Sequence, residues 1–198
     1  MQHVYEVEIQ GISPLIQNNP AEALKGMAKN SRRKATPSVE PDEGWRVKVY
    51  LALDGKTLQH PSIALESILK EAASTFKAKG RGSMKTAVKR TCFVNGDWLT
   101  ITNKEKPDSI REVHPRNQQG QLVPNYLPEF SAGWRMQFYL TLTEDEIVSP
   151  HHLKEILDFA GQRIGIGVSR PKYGRFFCTR FEEVNGAPTR PEESMVHA

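Results

Sequence analysis

The stretch Gly161-Gln162-Arg163-Ile164-Gly165-Ile166-Gly167-Val168-Ser169-Arg170-Pro171-Lys172-Tyr173-Gly174-Arg175-Phe176 decides how this sequence reads. Upstream, Ser149 offers an N-cap hydroxyl, and Pro150 suits a first helical position, where the missing N–H costs nothing. Leu153, Ile156, Leu157 and Ala160 follow at helical spacing, with Gly161 as the expected stop. Downstream, Arg175 to Val184 reads as a strand. The glycines therefore leave a helix and enter a strand. A dinucleotide fingerprint needs the opposite order, so that a phosphate meets helix N–H groups. The only other glycine-rich run, Gly80-Arg81-Gly82-Ser83-Met84-Lys85-Thr86, lacks the adjacent Gly-Lys-Ser/Thr of a phosphate loop. No cofactor is expected.

Working outward, Trp134, Met136, Phe138, Leu140 and Leu142 share one face of a strand just before that helix. Val4, Tyr5, Val7 and Ile9 alternate with Glu6, Glu8 and Gln10 in an opening strand that Gly11 and Pro14 break. Trp45 to Leu53 reads as the second strand. Pro61 marks a helix carrying Leu65, Ile68, Leu69, Ala72 and Phe76. Thr91 to Thr102 reads as one or two strands with Asn95-Gly96 as a hairpin turn. Ala21 to Lys29 reads as a short helix. Strand–helix–strand units joined by antiparallel pieces predict an α+β, ferredoxin-like (RRM-like) fold with an antiparallel sheet and helices on one face. The domain is expected to span 1–186, with insertions at about 28–44 and 104–131 and a polar tail over 187–198. Within 104–131 only a short strand near Arg111–His114 is expected.

The 198 residues are 38% hydrophobic, 25% charged and 8% aromatic, which predicts one ordinary globular domain. The N-terminus has no basic-then-apolar leader and no run approaches a membrane span, so a cytoplasmic protein without membrane contact is expected. Cys92 and Cys178, far apart in strand-like runs, read as reduced core thiols. The net charge of +4 matters less than its placement. Lys77, Lys79, Arg81, Lys85, Lys89 and Arg90 form one acid-free run, and Arg163, Arg170, Lys172, Arg175 and Arg180 another.

The helix, Gly-x-Gly, Arg and Tyr173-Gly174-Arg175-Phe176 order resembles the glycine-rich loop of the RAMP superfamily, the RNA-binding proteins of CRISPR systems. Gly11-Ile12-Ser13-Pro14-Leu15-Ile16 is similar to that family's exit from its first strand. Pro61 to Leu69 sits where the family opens its first helix, without the glycine usual there. The resemblance covers about half of the chain and implies a ferredoxin-like scaffold. Among the family's members the sequence looks more like a backbone subunit that coats guide RNA than a processing endonuclease. A phage-borne or solitary relative, or a phage protein that interacts with or mimics a CRISPR subunit, fits the same resemblance.

Phosphates call for Arg and Lys on a flexible or concave scaffold, and unstacked bases for aromatic or guanidinium planes. The expected contacts are Arg163, Gly165, Gly167, Arg170, Lys172, Tyr173 and Arg175 at the loop. Lys77, Lys79, Arg81, Lys85, Lys89 and Arg90 are expected as a second wall, and Arg32, Arg33 and Lys34 as a closing arm. The expected partners are single-stranded RNA or DNA together with further copies of the chain or CRISPR-type subunits. No catalytic or metal residue is assigned. The alternative, a metal-independent endoribonuclease, would rest on His114 near Arg111 and Arg116. A target-cutting acid would come from Glu22, Glu40, Asp42 or Glu43.

Overall fold

The computed structural model describes residues 2–20, 45–78, 82–114, 120–122, 124–143 and 147–184. The opening alternation produces strand β1 (Gln2–Gly11), with Val7 and Ile9 buried and Glu6, Glu8 and Gln10 half-buried. After the break come β2 (Leu15–Ile16), β3 (Tyr50–Leu51) and β4 (Leu58–Pro61), and then helix α1 (Ser62–Ala73). Helix α2 (Met84–Thr91) leads into β5 (Cys92–Val94) and β6 (Trp98–Ile101). Strands β7 (Ser109–Val113), β8 (Asn125–Phe130) and β9 (Arg135–Thr143) precede helix α3 (Pro150–Phe159), whose last residues pass into a π turn (Ala160–Ile164); β10 (Phe176–Val184) closes the order.

The main sheet runs β10-β1-β9-β6-β4-β3, and β5 also pairs with β9. Every pairing is antiparallel. Taking β5 and β6 as one interrupted strand, β1-α1-β5/β6-β9-α3-β10 is the ferredoxin-like plan, with its fourth, first, third and second strands side by side. α1 contributes Leu65, Ile68 and Leu69 and α3 contributes Leu153, Ile156 and Leu157 to one core, together with Val7, Ile9, Phe138 and Leu140 of the sheet. A smaller sheet, β2-β8-β7, stands beside the exit of β1.

Several expectations change. Trp45–Lys48 is a turn, closed by Lys48 N–H donating to the Trp45 carbonyl at 2.9 Å, so the second strand shrinks to Tyr50–Leu51. Pro61 ends β4 and caps α1 rather than opening it. Asn95-Gly96 is no hairpin. Both β5 and β6 lie along β9, and the Asn95 N–H stays paired with the Tyr139 carbonyl at 2.9 Å, so these residues bulge within a strand. The basic run after Gly82 forms α2, because Met84, Ala87, Val88 and Thr91 bury one helical stripe. Residues 104–131 supply the expected short strand as β7 and, beyond it, a second strand, β8. Gly161 does not stop its helix; the π turn continues to Ile164. The Ser149 cap is present and reciprocal: the His152 N–H donates to Ser149 Oγ at 3.3 Å, and the Ser149 N–H donates to His152 Nδ1 at 3.4 Å. Both cysteines are free, and burial pushes the Cys92 thiol up to about 12 and that of Cys178 to about 11. No helix among the described residues is long and apolar enough to cross a membrane.

Candidate nucleic-acid interface

The glycine loop is stitched to the segment leaving β1. Gly174 N–H donates to the Pro14 carbonyl at 2.7 Å, Val168 N–H to Ile16 at 3.0 Å, and Arg175 N–H to Ser13 Oγ at 2.8 Å. Trp134, fully buried, donates from Nε1 to the Ser13 carbonyl at 2.9 Å and meets Phe176 edge-on. This close approach explains the glycines. Gly174 has φ +73°, and a Cβ there would lie 1.6 Å from the Ile166 carbonyl oxygen; at Gly167, φ +87°, it would lie 2.7 Å from that of Ile16. Both positions face protein backbone, so chain packing rather than room for a phosphate requires glycine here.

What the loop shows to solvent is charge. Arg163, Arg170, Lys172 and Arg175 are exposed. Among the described residues Arg163, Lys172 and Arg175 have no acidic partner, and Arg170 meets only Glu71 of α1 at a loose 3.9 Å. Tyr173, half-buried, carries the Lys172 ammonium 5.5 Å and the Arg111 guanidinium 5.2 Å from its ring centroid. Arg111 comes from β7 and is held by the buried Glu129 carboxylate, whose hydrogen bond keeps the guanidinium charge firmly in place. Its adoption by the loop depends on the small sheet, which sequence periodicity did not reveal.

The open face of the main sheet behaves differently. Arg180 Nη1 donates to Glu6 Oε1 at 3.1 Å, Gln137 also donates to Glu6, and Arg135 lies 3.7 Å from Glu8. Its cations are neutralised by its own carboxylates. The sheet face is therefore a poor phosphate surface, whereas the loop is a good one.

The end of the first basic run lies apart from the glycine loop. Arg90 lies two residues before Cys92, which pairs with Leu142 at one end of β9, while Gly11 N–H bonds the Trp134 carbonyl just beyond the other end. At about 3.3 Å per residue the two ends are about 25 Å apart. Lys85, Lys89 and Arg90 are exposed on α2, which leads to that end of β9, whereas exposed Lys77 follows Phe76, whose ring packs 5.6 Å from that of Phe159, one turn before Arg163. Arg32, Arg33, Lys34, Lys79 and Arg81 lie outside the described residues, as do Arg116, Glu22, Glu40, Asp42, Glu43 and the short helix expected over 21–29. His114 is half-exposed and sits 3.3 Å from Glu112, while Arg111 is committed to Glu129 and Tyr173.

Beside the loop lies an open groove of about 300 Å³ between Ile166–Arg170 and the first turns of α1, with Asn18, Tyr50 and His60 at its head. His60 is 4% exposed. Burial depresses its pKa to about 4, so it is neutral at pH 7. The fully buried Gln17 organises it. The Gln17 amide donates to the Gln59 carbonyl at 2.8 Å and to His60 Nδ1 at 3.1 Å, and its oxygen accepts from the Tyr50 N–H at 3.4 Å. A larger groove of about 620 Å³, between β3–β4 and Thr100–Glu105, mixes Arg46, Lys56 and Lys104 with Glu105 and lies away from the loop. Sequence reading missed His60, Gln17 and Tyr50; alternation of Leu58 and His60 along β4 was the one signal that could have placed His60 inside.

No family model and no curated protein matches the chain. Among solved structures, a chain of the cryo-EM structure of the Type III-B Cmr-beta bound to cognate target RNA is similar in fold, with a TM-score of 0.56 at 10% identity. The match covers 94% of this chain and 62% of that one, so this chain spans under two thirds of its neighbour's length.

Proposed function

We propose that the protein is a single-stranded nucleic-acid-binding subunit, most suited to guide RNA, of a CRISPR-type ribonucleoprotein, coating the strand as an oligomer without catalysis. One contrast carries this reading: the exposed cations of the glycine loop lack close acidic partners, whereas those of the open sheet face are neutralised in place. Unneutralised Arg and Lys beside a concave surface release counterions from a phosphate backbone on binding. The fold shared with a chain of a complex that is bound to cognate target RNA is consistent with RNA as the ligand.

Two measurements test the proposal. The purified protein is examined for co-purifying nucleic acid by its absorbance ratio and by size exclusion before and after nuclease treatment. A large species that collapses only with ribonuclease is expected. A clean monomer that neither RNA nor single-stranded DNA shifts at low salt would overturn the reading. Changing Arg170, Lys172 and Arg175 together to Ala is expected to weaken binding for all sequences alike and to reduce the salt slope by about 2 to 3. An unchanged slope would remove the loop from the interface.

A further inference from the structure

Gln17 fixes which nitrogen of His60 carries the proton. Its amide nitrogen faces the Gln59 carbonyl, which only accepts, and its oxygen faces the Tyr50 N–H, which only donates. The amide can therefore sit only one way round, and it donates to His60 Nδ1. The ring proton must then be on Nε2. No described residue accepts from Nε2, although the side chain is almost wholly buried, and His60 lines the groove. The Tyr5 hydroxyl is the one fully buried side-chain polar atom without a partner among the described residues, so the Nε2–H of His60 reaches the groove's solvent, where an acceptor on a ligand can replace water.

The groove's other walls indicate what that partner is. Ile63, Ile166 and Val168 give it apolar sides, and its volume is at the small end of the range for organic-ligand sites. Arg170 stands at its rim. Next to His60, Tyr50 lies edge-on at 5.8 Å and touches Trp98, a residue 45% exposed. An apolar slot with one aimed donor, a cation at its lip and an exposed aromatic step alongside suits a planar, acceptor-bearing ring attached to a phosphate.

We infer that this groove seats the base of one nucleotide splayed out of the bound strand, with the Nε2–H of His60 donating to an acceptor on that base. The inference rests on the nucleic-acid reading given above and assigns a specific pocket within it. His60 is here a binding residue held in its donating tautomer by Gln17.

The test is fluorescence anisotropy with a labelled, mixed-sequence single-stranded RNA of about 15 nucleotides, titrated over a range of salt. His60→Leu is expected to weaken binding about tenfold, the scale of one lost buried hydrogen bond. Its salt slope should equal that of the wild type, because a neutral donor releases no counterion. His60→Gln, which keeps a donor, should bind within about threefold of the wild type. Ser67 lines the groove from an exposed position on α1, so Ser67→Trp can fill it without entering the core and is expected to reproduce the loss. This second variant decides the matter should His60→Leu fail to fold. Wild-type binding that both variants match overturns the pocket while leaving the binding function standing. Absence of wild-type binding overturns the functional reading, and the pocket falls with it.

Discussion

Acid should destabilise this protein through His60 before it does so through its carboxylates. Burial holds the folded-state pKa at about 4 against an ordinary 6.5, so the unfolded chain binds a proton that the native state refuses. The penalty begins as pH falls through 6.5 and levels off below about 4. At roughly 1.36 kcal/mol per pH unit it amounts to about 3 kcal/mol in full, with most of it reached by about pH 4.5. The carboxylates held low, Asp54 and Asp108, begin to matter only beneath their ordinary 3.8, which leaves the interval between free for His60 alone among the shifted groups. The assay is urea unfolding at about pH 7 and about pH 4.5 for the wild type and for His60→Gln, which can still meet Gln17 but does not titrate. The wild type should lose about 2–3 kcal/mol more than the variant over that interval. Equal losses would mean that His60 protonates in the folded state as readily as in water, contrary to its burial.

Other outcomes follow from particular contacts. Gly174→Ala should cost more than about 3 kcal/mol, because a positive φ and a Cβ 1.6 Å from a carbonyl oxygen must both be relieved, whereas Gly96→Ala at φ +81° meets nothing and should cost about 1–2 kcal/mol; paired urea midpoints decide this. Tyr5→Phe should be neutral or stabilising by up to about 1 kcal/mol in thermal denaturation, since the Tyr5 hydroxyl is buried without a partner while its ring stacks on Phe181 at 4.6 Å. Ser149→Ala removes the reciprocal cap of α3 and should cost about 1 kcal/mol, read as a lower urea midpoint with unchanged m.

The elements that bury a single periodic face were legible in the chain. β1, β9, α3 and β10 follow from alternation or helical recurrence, and the Ser149-Pro150 start gave the helix boundary. Alternation fails where a strand is only two residues long, as at β3, or lies in a second small sheet, as at β8, because its length is set by a partner rather than by its own pattern. The α2 helix is masked by its charge: its buried stripe is only four residues, Met84, Ala87, Val88 and Thr91, set within a basic run.

The candidate site divides along the same line. Charge placement and glycine spacing are properties of order along the chain, so the amino-acid sequence already told that the Gly165–Arg175 loop joins a helix to a strand and carries cations in an acid-free run. Proximity is not such a property. Folding in three dimensions brings Arg111 from another sheet to the Tyr173 ring and sets the C-terminal end of α2 at the end of β9 opposite Trp134. The neutralisation of Arg180 by Glu6, and the Gln17 contact that points the His60 proton into a groove, were settled in the same way. Each of these joins residues at least 18 positions apart, brought together by strand register and core packing, for which the local sequence carries no signal.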